Sequence, residues 1–266
     1  MRGPTPGSSS PERALNSAQV SSPALTRNKG ARALRTGGGP LRSAKTPLFF
    51  AGIHPLISGS IIRVRLVASL GEPRYRGLFS LLSLGGLVAL VLAYRAAPFV
   101  PVWSPPPVLH VISALLMIPA VFFVVAGVMT KGPTGIGREK LLRNPEPAHG
   151  VLRMTRHPFL VGTALWAAAH LVALGDAAAM FFFGAFLFLG LTGPARIDRR
   201  QRELFGAARK RLDEVTSVVP FLAIIQGRNR LDLREIGWRR GAAAVGVYAF
   251  LLLLGHRLLF GVAPLS

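Results

Sequence analysis

Cysteine is absent from this chain of 266 residues, which excludes disulfides, zinc–thiolate centres and thiol catalysis within it. Acid is scarce: eleven Asp and Glu stand against 32 Lys and Arg, giving a formal net charge of +21. Charged residues of either sign make up only 16% of the chain, half of it is hydrophobic, and the mean hydropathy is +0.43. That balance excludes an ordinary soluble two-domain enzyme and points to a membrane protein. In a soluble protein the cationic excess would suggest nucleic acid. Here the basic residues crowd the loops between apolar runs, as orientation in a membrane requires, so no nucleic-acid partner is expected.

Six apolar runs approach the length of about 20 residues that crosses lipid. They are Thr46–Ile62, Gly77–Tyr94, Pro107–Met129, Pro158–Gly175, Asp176–Ala195 and Gly241–Val262. The expected fold is therefore all-α, a multi-pass transmembrane helical bundle of about six spans. The fourth and fifth runs meet at Gly175-Asp176, which predicts a tight antiparallel hairpin. Lys and Arg number four in Arg63–Arg76, one in Arg95–Pro106, six in Thr130–His157, none at Gly175-Asp176 and twelve in Arg196–Arg240. The loops rich in positive charge belong on one side, cytoplasmic or stromal. On that side Leu204, Phe205, Ala208, Leu212 and Val215 recur at helical spacing, which predicts a cytoplasmic amphipathic cap lying on anionic membrane lipid.

Residues 1–45 carry eight Lys and Arg and one acid, Glu12, although six spans would put them on the other side. Three readings account for this segment: a removable targeting peptide, a misassigned extension, or a re-entrant first apolar run that leaves the tail inside. In each it is a disordered basic extension, and residues 46–266 form the transmembrane domain. A bacterial inner membrane and, alternatively, a plastid membrane both suit this organisation.

The chemistry concentrates in Gly150-Val-Leu-Arg-Met-Thr-Arg-His-Pro158, where His157 stands at the turn from a polar loop into an apolar helix. An imidazole there can ligate a metal or grip an anionic cofactor while staying near water. Ionisable residues at membrane depth are functional candidates, which adds His54 and His170. His54 is nine residues from Arg63, or roughly 13 Å deep, and His170 is thirteen residues beyond His157, or roughly 20 Å, at about 1.5 Å per residue. On depth alone His54 could pair with either. Arg156, with Arg153 a turn earlier, offers a planar fork for a carboxylate. His110 and His256 read as interfacial, and His149 as a solvated loop residue.

Phe50-Ala-Gly-Ile-His-Pro55, Leu70-Gly-Glu72 and Tyr75-Arg-Gly-Leu-Phe-Ser80 resemble the opening of the NnrU family. Met154-Thr-Arg-His-Pro158, Trp166, Ala169-His170, Asp198-Arg-Arg200 and Thr216-Ser-Val-Val-Pro-Phe221 resemble its second half, and are especially similar to its zeta-carotene isomerase branch. The resemblance covers about residues 48–231. It implies a multi-pass membrane protein, haem b, and cis–trans isomerisation of an apolar polyene. It also implies His54 and His157 as the metal's axial ligands; Arg156 and His170 are cofactor-binding candidates from their own positions.

Two other readings stand beside it. One is a denitrification-associated haem membrane protein without isomerase activity. The other is a membrane S-adenosylmethionine-dependent methyltransferase of the isoprenylcysteine type, which shares an Arg-His-Pro helix entry and a Phe-Gly element, here Phe205-Gly206. Ile197-Asp198 replaces the pair of glutamates expected before that element, and Arg209 and Leu212 replace two tyrosines.

Overall fold

The computed structural model describes residues 61–135, 138–144 and 146–261. Helix α1 (Ile61–Leu70) breaks at Gly71 and continues as α2 (Glu72–Ala96); α3 is Pro107–Met129 and α4 is Pro158–Ala173. The longest, α5 (Ala177–Val215), kinks at Gly206, whose φ of 43° and ψ of −114° lie outside the helical region. Two short helices follow, α6 (Leu222–Ile225) and α7 (Leu233–Ile236). Then α8 (Trp238–Phe250) passes through a π-helical turn, Leu251–Gly255, into α9 (His256–Phe260). Among the described residues there is no strand, only a bridge between Pro101 and Asp176.

This is the expected all-α membrane bundle, with a difference in the number of spans. Four of its helical stretches are long and apolar enough to cross: Glu72–Ala96, Pro107–Met129, Ala177–Val215 and Trp238–Leu258. The apolar α4 is a shorter fifth at 16 residues, and nearly all of Thr46–Ile62 lies outside the described residues. The stretch Arg63–Arg76, expected to be a loop, is helical apart from Gly71. The helix is sustained there because Glu72 takes up the local cations, bonding Arg63 at 2.8 Å and Arg76 at 3.0 Å.

Helix α4 is the centre of the bundle: α3 packs on it from one side and α5 from another, and α8 packs on α3, with Tyr248 also joining the cluster around Ala169. Lipid gives helices no hydrophobic reason to associate, so close backbone approach has to hold them. At Gly162 a Cβ would stand 2.6 Å from the Val124 nitrogen and 2.8 Å from the Ala120 carbonyl, so α3 and α4 touch backbone to backbone. Along α5 the contact is aromatic, with Phe182 and Phe183 packed against Ala167, Leu90 and Trp166.

The loops that charge counting assigned to a common side do meet. At the basic end Arg76 reaches Glu139 at 3.6 Å and Arg200 reaches Glu72 at 3.6 Å. At the other end the Val102 amide donates to the Gly175 carbonyl at 2.8 Å. There Asp176 caps the hairpin by accepting the Ala179 amide at 3.0 Å.

Candidate functional site

His157 is the residue before α4. Pro158 at the first helical position has no N–H to satisfy and keeps His157 out of the helical region, at φ −126° and ψ 58°. The His157 carbonyl still accepts the first helical bond, from Val161 at 3.0 Å. The ring is thereby aimed away from α4 towards α5, where its Nε2 lies 2.6 Å from Oδ1 of Asp198. Both are buried, with 3% and 2% of their surface exposed.

Asp198 is the hub of a closed charge network. Its Oδ2 accepts from Arg156 Nε at 3.0 Å, and its Oδ1 also faces Arg209 Nη2 at 2.7 Å. That same Arg209 nitrogen lies 2.8 Å from Asp213, and Arg156 approaches Asp213 at 3.3 Å. Arg209 also donates to Gln201, whose amide reaches the Pro133 carbonyl at 2.8 Å. Arg156 donates to the Thr216 carbonyl at 3.0 Å, and its own amide to the Ser217 carbonyl at 3.0 Å. Thr155 Oγ1 donates to Val218 at 2.8 Å. The Thr-Arg-His-Pro and Thr-Ser-Val-Val-Pro-Phe blocks are thus two sides of one structure.

Two carboxylates, Asp198 and Asp213, already face the guanidiniums of Arg156 and Arg209 and, from the exposed side, that of Arg202 at 2.7 Å from Asp213, so the network needs no charge from His157. Burial pushes the His157 imidazole below its ordinary pKa, against the pull of Asp198. Asp198 is held by the hydrogen bond from His157 and by the guanidiniums of Arg156 and Arg209. His157 is therefore neutral and donates through Nε2 to an ionised Asp198, which leaves Nδ1 as its lone-pair nitrogen.

The other expected site residues fall elsewhere. His54 lies outside the described residues. Arg156 is committed to Asp198, Asp213 and Thr216. His170 is thirteen residues along α4, roughly 20 Å from His157 at about 1.5 Å per residue, so the two do not share a site. Its ring stacks on Phe183 at 4.4 Å and 14°, lies 5.2 Å from the Trp166 ring, and has Nδ1 2.8 Å from the Trp166 carbonyl. His256 holds its ring 6.3 Å from that of His170 at 16°. Its Nδ1 lies 2.7 Å from the Leu251 carbonyl, at the π-helical turn.

Sequence reasoning missed Arg209 and Asp213. The expected cap also differs in what it faces. Phe205, Ala208, Leu212 and Val215 pack on Leu142 and Ala148 of the chain itself, while Leu204 stays 60% exposed. The 139–148 segment covers the apolar stripe that was expected to lie on lipid.

Two plant proteins named "15-cis-zeta-carotene isomerase, chloroplastic" are similar to part of this chain. The one from Zea mays is 39% identical over 82 residues, and the one from Arabidopsis thaliana is 37% identical over 86 residues. Each match covers 31% of this chain and 22% of the relative, so the chain spans less than a quarter of either relative's length. No solved structure matches. A model of the family described as "NnrU protein" matches residues 45–264, which is most of the chain and takes in every member of the buried network, so this protein belongs to the NnrU family.

Proposed function

We propose that this protein is a haem b-binding membrane isomerase that turns a cis double bond of an apolar polyene to trans. The names of the two plant relatives support the activity. The observation that carries the cofactor is the state of His170. A backbone carbonyl only accepts, so the 2.8 Å contact with Trp166 puts the hydrogen on Nδ1 and leaves Nε2 its lone pair. A neutral imidazole oriented by a second group is the donor that haem requires. His157 also keeps a lone pair, on Nδ1, but it is packed within the charge network with 3% of its surface exposed, whereas His170 is half-buried among apolar rings. His170 would therefore be one residue holding the haem and, from the family resemblance, His54 the other. A second pairing, His170 with His256, is favoured by their nearly parallel rings 6.3 Å apart.

Bound haem would supply an iron centre beside the polyene. The chain's own part is to hold an apolar chain in place without water. Trp166 and Phe183, with ring centroids 5.0 Å apart, and Phe182, 5.0 Å from Phe183, form an aromatic wall beside His170. The charge network at the basic end holds α4 and α5 in register and does not touch the substrate. The relatives are chloroplastic, and an Arg- and Ser-rich N-terminal 45 residues suit delivery to a plastid.

The test is an optical spectrum of the detergent-purified protein. A Soret band should be present, should vanish in His170→Ala and should persist in His157→Ala. Loss in His54→Ala or in His256→Ala identifies the second ligand. A band that survives His170→Ala overturns the ligand assignment, and no band at all overturns the cofactor. Expression in a carotenoid-producing bacterium lacking the isomerase tests the activity, which is refuted if the cis product does not shift to trans.

A further inference from the structure

A cleft of about 390 Å³ opens at the basic end, between the loop before α4, the end of α5 and the segment after α6. Four arginines line it, Arg153, Arg211, Arg228 and Arg230, together with Asn229. They are not equivalent. Arg153 is neutralised by Glu235, with contacts of 2.7 Å to both carboxylate oxygens, and also donates to Asn229 at 2.9 Å. Arg228 is held in place through Nη1 by the carbonyls of Glu214 at 2.7 Å and Thr216 at 3.0 Å, and by Gln226 Oε1, which accepts from its Nε at 2.9 Å and its Nη2 at 2.7 Å; this leaves the second Nη2 hydrogen to donate, and no carboxylate among the described residues pairs with it. Arg211 and Arg230 are exposed, and among the described residues neither side chain has a hydrogen bond or ion pair. Two acids, Glu146 and Glu214, also line the cleft, so three cations without a carboxylate partner face two carboxylates and one positive charge is in excess.

The same segment bears a second feature. Ile225 is 79% exposed, Leu231 44%, Leu233 71% and Trp238 78%. Apolar side chains are stabilised by leaving water, and in the described chain these four are left largely uncovered, with only the Arg239 guanidinium placed over the Trp238 ring at 6.0 Å. They lie within a few residues of Arg228 and Arg230 in sequence, where the apolar spans begin. An apolar edge beside a cationic cleft is the arrangement by which a protein seats itself in the interfacial layer of a membrane and meets its headgroups.

We propose that this cleft binds a phosphate group, and that its source is the headgroup of an anionic phospholipid whose acyl chains lie along Ile225, Leu231, Leu233 and Trp238. Arg228, fixed by backbone carbonyls, gives a preformed donor, while Arg211 and Arg230 close on the phosphate from either side. The proposal is independent of haem and of isomerisation.

Native mass spectrometry of the full chain, in detergent with added lipid, tests it. The unaltered protein should retain one phosphatidylglycerol in preference to phosphatidylcholine. The double variant Arg211→Gln/Arg230→Gln should weaken that retention roughly tenfold or more. The double variant Arg65→Gln/Arg199→Gln removes the same charge outside the cleft and should stay within about twofold of the parent. Equal retention of the two lipids, or equal loss in the two double variants, overturns the site. Displacement of phosphatidylglycerol by an equal concentration of inorganic phosphate overturns the lipid source and identifies a soluble phosphate ligand. A folded Arg211→Gln/Arg230→Gln protein, judged by an unchanged thermal midpoint, is the control that its loss is one of binding.

Discussion

Replacing Asp198 with alanine removes the acceptor shared by His157, Arg156 and Arg209 at 2.6, 3.0 and 2.7 Å. Arg209 is fully buried, so its guanidinium keeps only Asp213 and Gln201, and the network carries a net positive charge away from water. Removing one partner of a buried ion pair costs about 3–5 kcal/mol, far more than the net worth of the pair, because the charge left behind has no compensation. For a domain of this size each kcal/mol shifts the midpoint by about 2–4 °C, so Asp198→Ala should lower it by roughly 6–20 °C in detergent. Asp198→Asn keeps the shape and one acceptor oxygen and should fall between. A double-mutant cycle with His157→Ala separates a network from a merely crowded site, since the two losses should be non-additive by about 1 kcal/mol or more. A midpoint within about 2 °C of the parent for Asp198→Ala, or strict additivity in the cycle, would refute the account of the site.

Acidity should act through His157. Its pKa is depressed in the fold, so the unfolded chain takes up a proton that the native ring refuses. That stability is present above about pH 6.5 and is lost as pH falls below it. Thermal midpoints from pH 8 to 5 should therefore decline in the parent and decline less in His157→Gln; parallel curves would count against a neutral His157. At the helix contact, Gly162→Ala should destabilise by about 1–3 kcal/mol, because the added carbon meets the α3 backbone at 2.6 and 2.8 Å. Gly184→Ala, with nothing within 4 Å, should instead be neutral or stabilise by up to about 1 kcal/mol. Equal effects of the two substitutions on the midpoint would dismiss backbone contact as the cause.

Span boundaries were legible where proline and charge marked them together. Helix α3 runs over Pro107–Met129, as expected, because prolines precede it and no charge interrupts the apolar run. The N-terminus of α4 follows from Pro158 and the start of α5 from Asp176 in the same way. The helix over Ile61–Leu70 was hidden because four arginines in Arg63–Arg76 read as a loop, and the carboxylate that offsets them, Glu72, also serves Arg200 from far along the chain. His157 was legible as a boundary imidazole, but its partner was not. Asp198 stands 41 residues away on another helix, and no spacing along one helix encodes a contact between two.

Arg209 shows what finer reading could have found. Lys210 and Arg211 beside it are exposed, and among them Arg209 looked like one more cation of a solvated face. Yet it lies four residues after Phe205 and three before Leu212, which places it on the apolar stripe itself. A cation on a buried stripe is costly unless an acid answers it, and Asp213 one turn on, with Asp198 across the Gly206 kink, does so. In lipid the hydrophobic effect cannot choose which helix sits beside which, so the small residues along α4 set how close its neighbours come. The charge network at one end sets their register, because sliding α4 by a single residue against α5 would part His157 from Asp198 and leave Arg209 buried with an incomplete set of partners.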